Sequence, residues 1–230
     1  LPELNATKDK FFSIIAHDVK SPFQGLISFS QILSTQFSEL SLPEKISFIS
    51  SIEALSQSSY RLLENLLDWS RLQTGQMTYN PVHLNLLVEL FPTITLIKQT
   101  ALNKNTAFDY SIDSSIVAKA DINMLSTIIR NLLSNAIKFT NSGGKITLLV
   151  KELEDSIEFS VTDTGIGIEQ DNLDKLFRIG NKESRRGTAN ETGTGIGLFL
   201  CKEMIDKHGG KLSVESQINK GTKFMFTIPK

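Results

Sequence analysis

Residues Phe11–Pro22 read FFSIIAHDVKSP. Around them apolar residues recur every seven positions. Phe12, Val19, Leu26 and Leu33 form one series, and Ala16, Phe23 and Phe37 belong to a second. Ser30 interrupts the second series, and Phe29 beside it is expected to fill the gap. The two series alternate at steps of three and four, which is the seam of a coiled coil or helical bundle. A helix is therefore expected from about Ala6 to Phe37.

A second helix follows. Ser41, Pro43 and Glu44 carry the marks of a helix start: a capping Ser, a Pro in the first turn, and a Glu three residues after the Ser. Its seam is Phe48, Ile52, Leu55, Leu62, Leu66 and Trp69, with Ser59 as a polar gap, and it should end near Leu72. Two long helices on a short loop make an antiparallel hairpin. One hairpin leaves much of its seams exposed, so a homodimer is expected, with two hairpins forming a four-helix bundle.

Gly75 and the polar stretch QMTYNP mark a boundary, dividing the chain into residues 1–75 and 76–230. Beyond it helices and strands mix. A helix is expected over about Asn85–Leu102, then short strands near Phe108–Ile112 and Val117–Ala120. A further helix opens at Asp121, a good capping residue. Strands follow at Lys145–Leu153 and Ser156–Val161. A segment rich in Gly, Ser, Thr and charge covers roughly Glu169–Thr194. The chain closes with a helix over Ile196–His208 and strands at Lys211–Glu215 and Lys223–Ile228. This grouping is α+β. It reads as an α/β sandwich, one mixed sheet with helices on one face. The absence of regular β-α-β alternation argues against a Rossmann fold.

The net charge of -1 gives no reason to expect nucleic acid or an anionic membrane as a partner. No apolar run is long enough to span a bilayer, no signal peptide is visible, and no direct membrane contact is expected of these residues. A start without Met suggests a fragment of a longer protein. The single Cys201 excludes an internal disulfide and reads as a small buried hydrophobe.

Four blocks carry chemistry. His17 lies at the rim of the first seam among polar helical neighbours, with Asp18 beside it. A neutral imidazole is a competent nucleophile near pH 7. A neighbouring carboxylate can hold one ring nitrogen protonated and raise the reactivity of the other. An exposed helix His beside a chance acid would look the same. Pro22 should bend or loosen the helix. The second block is Arg130–Thr140, RNLLSNAIKFT. Asn131, Asn135 and Lys138 fall at i, i+4 and i+7, on one helix face. Asn is a poor helix former, so two on one face want a reason. Amide oxygens suit a hard cation such as Mg2+, and Lys138 adds a compact positive charge for phosphates. A solvated polar face is the plain alternative. The third block is Asp163–Gly167, DTGIG, directly after a strand. Its carboxylate can accept from an exocyclic amine, and Gly165 and Gly167 allow close backbone approach to a ligand. An acidic turn would read the same way. The fourth is Gly193–Leu198, GTGIGL, which opens a helix and offers backbone N–H groups to phosphate, or serves as a hinge. It matches neither a Walker A loop nor a dinucleotide fingerprint.

FFSIIAHDVKSP resembles the phosphoacceptor box of sensor histidine kinases, RNLLSNAIKFT their N box, and DTGIG and GTGIGL their glycine boxes, in the family's order. The resemblance covers about residues 6–230. It implies a dimerisation and phosphoacceptor hairpin followed by a Bergerat-type ATP-binding domain. It implies His17 as the phosphorylated residue, Asp18 as its base or orienter, and Asn135 as a Mg2+ ligand assisted by Asn131. ATP would be bound by Asn131, Asn135, Lys138, Asp163, Gly165, Gly167, Gly193, Thr194, Gly195, Ile196, Gly197, Leu198 and Thr222. The partner implied is the receiver domain of a response regulator. The core should be cytoplasmic in a protein anchored to the membrane.

The segment between DTGIG and GTGIGL resembles the family's ATP lid, with Leu176–Phe177 as a short F box. Lys182, Arg185 and Arg186 could reach phosphates, and a solvated charge cluster would read the same. Two departures stand out. Asn219 in NKGTKF replaces a usual glycine, for which only a local change of loop shape is expected. Ser21 stands four after the histidine, where Thr or Asn is common, which puts phosphatase activity in doubt. His208 reads as a C-terminal cap favourable to the helix dipole, and His83 as a lone linker residue. Two rival functions fit parts of the chain. An ATP-hydrolysing machine of the same superfamily would leave FFSIIAHDVKSP unexplained. A non-catalytic scaffold would leave the intact His17, Asn135 and Asp163 unexplained.

Overall fold

The computed structural model describes residues 2–173, 175–177, 187–189, 191 and 195–230, with side chains from residue 19 onward. The chain forms two compact units, Leu1–Thr74 and Gly75–Lys230. Among the described residues no helix is long and apolar enough to cross a membrane.

The first unit is a hairpin of α1 (Pro2–Gln36) and α2 (Leu42–Gln73). Helix α1 continues through Pro22. Ser41 caps α2 through a capping box: its N–H and hydroxyl both donate to Glu44 Oε2, at 2.8 and 2.6 Å. In the second-helix seam Leu62 and Trp69 are buried and Phe48, Ile52, Leu55 and Leu66 half-buried, and Leu72 beyond it is buried too. Phe29 does fill the gap left by Ser30, its ring 5.6 Å from that of Phe48. Leu55 lies so close to Gly25 that a Cβ there would stand 2.7 Å from Leu55 Cδ1. The other series stays open: Phe23 and Phe37 are exposed, as are Ile27, Ile46 and Leu63. The side chains of Phe12 and Ala16 lie outside the described residues.

The second unit is a two-layer sandwich. Strands β2 (Ala107–Ser111), β4 (Lys145–Glu152), β5 (Ser156–Asp163), β7 (Gly221–Pro229) and β6 (Leu212–Gln217) lie in the order β2-β4-β5-β7-β6. The β2–β4 pair is parallel and the others antiparallel, so the sheet is mixed. Register places Leu148, Val161 and Phe224 side by side, and Val150, Phe159 and Phe226 in the next row. These are buried, whereas Lys151, Glu158 and Thr227 point the other way and are not. Period-2 alternation thus gives the sheet one apolar face. Phe159 and Phe226 stack at its centre, ring centroids 4.5 Å apart.

Helices α3 (Leu86–Asn103), α4 (Ile122–Phe139) and α6 (Gly197–Lys207) cover that face. In α4, Leu125, Ile129, Leu132 and Ala136 are buried at the spacing of one helix face. Asp121 caps α4, its Oδ1 accepting from the N–H groups of Asn123 and Met124.

Three readings change. Residues 82–85 form strand β1 (Val82–Asn85), antiparallel to β3 (Val117–Ala120), so His83 belongs to a strand opposite Lys119 rather than to a linker. Four residues hold only two apolar–polar alternations, too short a run for a period-2 signal. A short helix, α5 (Gln170–Leu173), opens the Gly-, Ser-, Thr- and charge-rich segment, to which the sequence assigned no element. His208 does occupy the C-cap of α6, but it is buried and acts as a tie. Its Nδ1 donates to Met204 O at 2.7 Å, and its Nε2 accepts the Asp121 N–H at 3.2 Å.

Candidate functional site

Helix α4 is the element around which the candidate residues gather. Asn131 is half-buried on the side that meets α6. Its amide oxygen lies 3.5 Å from where a Cβ on Gly197 would stand, so the second and fourth blocks touch. Its Nδ2 is buried and makes no hydrogen bond of good geometry among the described residues, and the Cys201 thiol is the polar group it faces. Cys201 stands close to Asn131, its thiol pushed up to about 12 by burial, with the Asn131 amide opposing. That thiol is inert packing, as its sequence suggests. Asn135 and Lys138 follow on the same face, both half-buried. Burial holds the Lys138 ammonium below its usual range, against the pull of Glu191 and with the push of Lys104.

The DTGIG turn leaves the end of β5. Asp163 is buried, 5 % exposed. Its Oδ1 accepts from the backbone N–H of Gly165 at 2.8 Å and of Thr222 at 3.2 Å. Burial raises its carboxyl to about 6, with those two N–H groups opposing. Gly165 is required by closeness: a Cβ there would overlap the carbonyl oxygen of Phe139 at the end of α4. Ile166 N–H donates to the same carbonyl at 3.1 Å. On the other side, Asn219 N–H donates to Ile166 O at 2.9 Å, and Gly167 lies against the carbonyl of Gln217. The turn is therefore gripped between α4 and the β6–β7 loop.

That loop accommodates its departure from the family pattern. Asn219 adopts φ 60, a left-handed conformation that Asn tolerates better than most residues. Only a local change was expected, and the loop still delivers Thr222 N–H to Asp163. Thr222 is buried, its hydroxyl 2.9 Å from that of Ser216. In the fourth block, Gly195 has φ +65, Ile196 is buried at the N-cap, and Gly197 and Leu198 begin α6. Gly193, Thr194, Lys182, Arg185 and Arg186 lie outside the described residues, as do the side chains of His17 and Asp18. Leu176 and Phe177 are half-buried in the turn after α5.

Two family descriptions match the chain. "His Kinase A (phospho-acceptor) domain" covers residues 7–75, and "Histidine kinase-, DNA gyrase B-, and HSP90-like ATPase" covers residues 120–230. The chain belongs to the sensor histidine kinases. It carries their catalytic core, a phosphoacceptor hairpin followed by an ATPase domain. The kinase is 29% identical over 232 residues to the sensor histidine kinase GacS of Pseudomonas protegens, across 98% of this chain and 25% of that protein. It is 32% identical over 232 residues to the sensor protein EvgS of Escherichia coli K12, across 96% of this chain and 19% of that one. The chain thus spans a quarter or less of these relatives. Among solved structures, the catalytic domain of histidine kinase ThkA aligns with a TM-score of 0.57 and 27% identity, over 66% of this chain and 96% of that one. ThkA in complex with the response regulator protein TrrA aligns with a TM-score of 0.74 and 21% identity, over 100% of this chain and 64% of that one, a likeness of fold.

Two charged residues of the kinase were missed in the sequence. Lys104 and Glu191 pair at 2.6 Å beside the C-terminal end of α4. They are 87 residues apart, and no local pattern couples them.

Proposed function

We propose that this chain is an ATP-dependent autokinase that phosphorylates His17 and passes the phosphoryl group to an aspartate on a response-regulator receiver domain. The observation that carries the reading is that α4 touches both glycine blocks, Gly197 through Asn131 and Gly165 through Phe139. Residues far apart in sequence are thereby gathered around one helix, with a half-buried amide at Asn131 and a buried carboxylate at Asp163. This set fits a nucleotide: a carboxylate for the adenine amine, close glycine backbone for the body of the ligand, and amides and a lysine for the phosphates.

Asp163 and Thr222 would hold adenine, with Gly165 and Gly167 beside it. Asn131, Asn135, Lys138 and the Gly193–Leu198 stretch would hold the phosphates. Asn135, assisted by Asn131, would ligate Mg2+, which supplies neutralisation of the triphosphate charge when bound. A ring nitrogen of His17 attacks the γ-phosphorus. The N–P bond forms as the bond from phosphorus to the β–γ bridging oxygen breaks, and that oxygen leaves with the electron pair on ADP. Asp18 takes the proton from the other ring nitrogen or orients the ring. Catalysis here is mostly positioning and charge stabilisation.

Residues 1–75 act as the dimerisation and phosphoacceptor domain and 76–230 as the catalytic domain. The exposed Phe23 and Phe37 series supports a homodimer through the hairpin. The core works in the cytoplasm, where it meets ATP, within a protein anchored to the membrane. Incubation with γ-labelled ATP and Mg2+, comparing the unaltered chain with His17→Gln, tests the reading. Acid-labile label on the first and none on the second is expected. Label retained by His17→Gln removes the assignment.

A further inference from the structure

The C-terminal end of α4 carries a charge cluster that the assigned roles leave unexplained. Lys104 caps α3, yet its ammonium reaches across to α4. It donates to Ile137 O at 2.7 Å, Lys138 O at 2.9 Å and Glu191 Oε1 at 2.6 Å. All three of its protons are thus engaged, and the side chain is only 14% exposed. Glu191 is equally committed. Its Oε2 accepts the Ala189 N–H at 2.8 Å, and its carbonyl accepts the Gly187 N–H at 2.8 Å. Between these, Thr188 donates from its nitrogen to Lys138 O at 3.0 Å and from its hydroxyl to Thr140 O at 2.9 Å.

We propose that Lys104 and Glu191 are positioning residues for the nucleotide phosphates, a latch that fixes residues 187–189 on the end of α4 and shields the phosphates from that end. The inference rests on the reading of Lys138 as a phosphate contact. The last carbonyls of a helix carry partial negative charge and repel an anion nearby. Lys104 sits on two of those carbonyls, at the turn from which Lys138 projects. Glu191 keeps Lys104 there, and its own carboxyl is held low by the Lys104 hydrogen bond and backbone N–H groups, against burial. Two ammonium groups and one carboxylate leave the cluster one negative charge short. Burial is the main pressure on the Lys138 ammonium, with Glu191 opposing it and Lys104 adding to it, and an anion would relieve it.

The latch acts on phosphate and not on adenine, so the test is a difference between ligands. ATP and adenosine affinities are measured by calorimetry on the 230-residue chain and on Lys104→Met, Glu191→Gln and the double variant. Each single substitution is expected to weaken ATP about fivefold to tenfold and leave adenosine unchanged. The double variant should be no weaker than Lys104→Met, because both residues serve one latch. Equal losses for ATP and adenosine would mean general loosening and overturn the proposal, as would ATP binding unmoved by any substitution. Absence of ATP binding by the unaltered chain would overturn the nucleotide reading together with the latch.

Discussion

The Oδ1 of Asp163 stands 3.2 Å from the backbone nitrogen of Thr222, so the end of β5 and the start of β7 share one carboxylate. The same oxygen takes the Gly165 N–H. Replacing Asp163 by Asn keeps an acceptor for both donors and removes the buried charge. Asp163→Asn is therefore expected to stabilise the ligand-free protein at pH 7 by about 1–2 kcal/mol. ATP affinity should fall about 10- to 100-fold, because a charged acceptor for adenine is lost. Thermal denaturation with and without ATP reads both effects, and a variant that loses stability while keeping ATP would refute the assignment.

The pH dependence follows from the same group. Its carboxyl is raised from 3.8 to about 6 by burial. Between those values the folded state holds the proton more tightly than the unfolded state. Stability contributed by Asp163 is thus full below about pH 4, declines as pH rises to about 6, and is flat above, with a total loss of up to about 3 kcal/mol. ATP affinity should run the other way, weakening below about pH 6 as the carboxylate is protonated. Asp163→Asn should abolish this component of both profiles; urea titrations across pH 4–8 would expose a profile that survives the substitution.

Gly221 has φ +103, and a Cβ there would overlap the carbonyl oxygen of Asp163. Gly221→Ala must move the loop that delivers the Thr222 N–H. A loss of about 1–3 kcal/mol is expected, with weaker ATP binding. Gly143, with φ +85 and open space around it, serves as the control. Gly143→Ala carries backbone strain alone and should leave ATP affinity unchanged.

Phe226 is fully buried and stacked on Phe159 at the centre of the sheet. Phe226→Ala should cost about 3–5 kcal/mol, since the neighbouring side chains cannot collapse onto the void. Chemical denaturation of the pair of proteins checks the size, and a loss below 1 kcal/mol would mean that the core repacks.

The hairpin was readable because its seams are long. Phe48, Ile52, Leu55 and Leu62 repeat at helical steps over several turns, and Ser41 with Glu44 marks the start chemically. The buried face of α4 was readable for the same reason. Strand β1 was not, because four residues offer two alternations and its pairing with Val117–Ala120 is non-local. His208 was read for its position at a helix end, but its partner Asp121 is 87 residues away. Lys104 and Glu191 share that difficulty. A lone lysine and a lone glutamate in polar surroundings look like solvated charges until the fold brings them together.

Among the described residues, the chain between β5 and α6 is fastened at three places. Residues 165 and 166 are held by Phe139 and Asn219, Ile168 by the Ser216 hydroxyl, and residues 187–189 and 191 by the end of α4. Two of these fastenings end on the C-terminal turn of α4, through the carbonyls of Phe139, Lys138 and Thr140. One helix end therefore sets where both the DTGIG turn and residues 187–189 stand, and a disturbance of that turn should be felt at both.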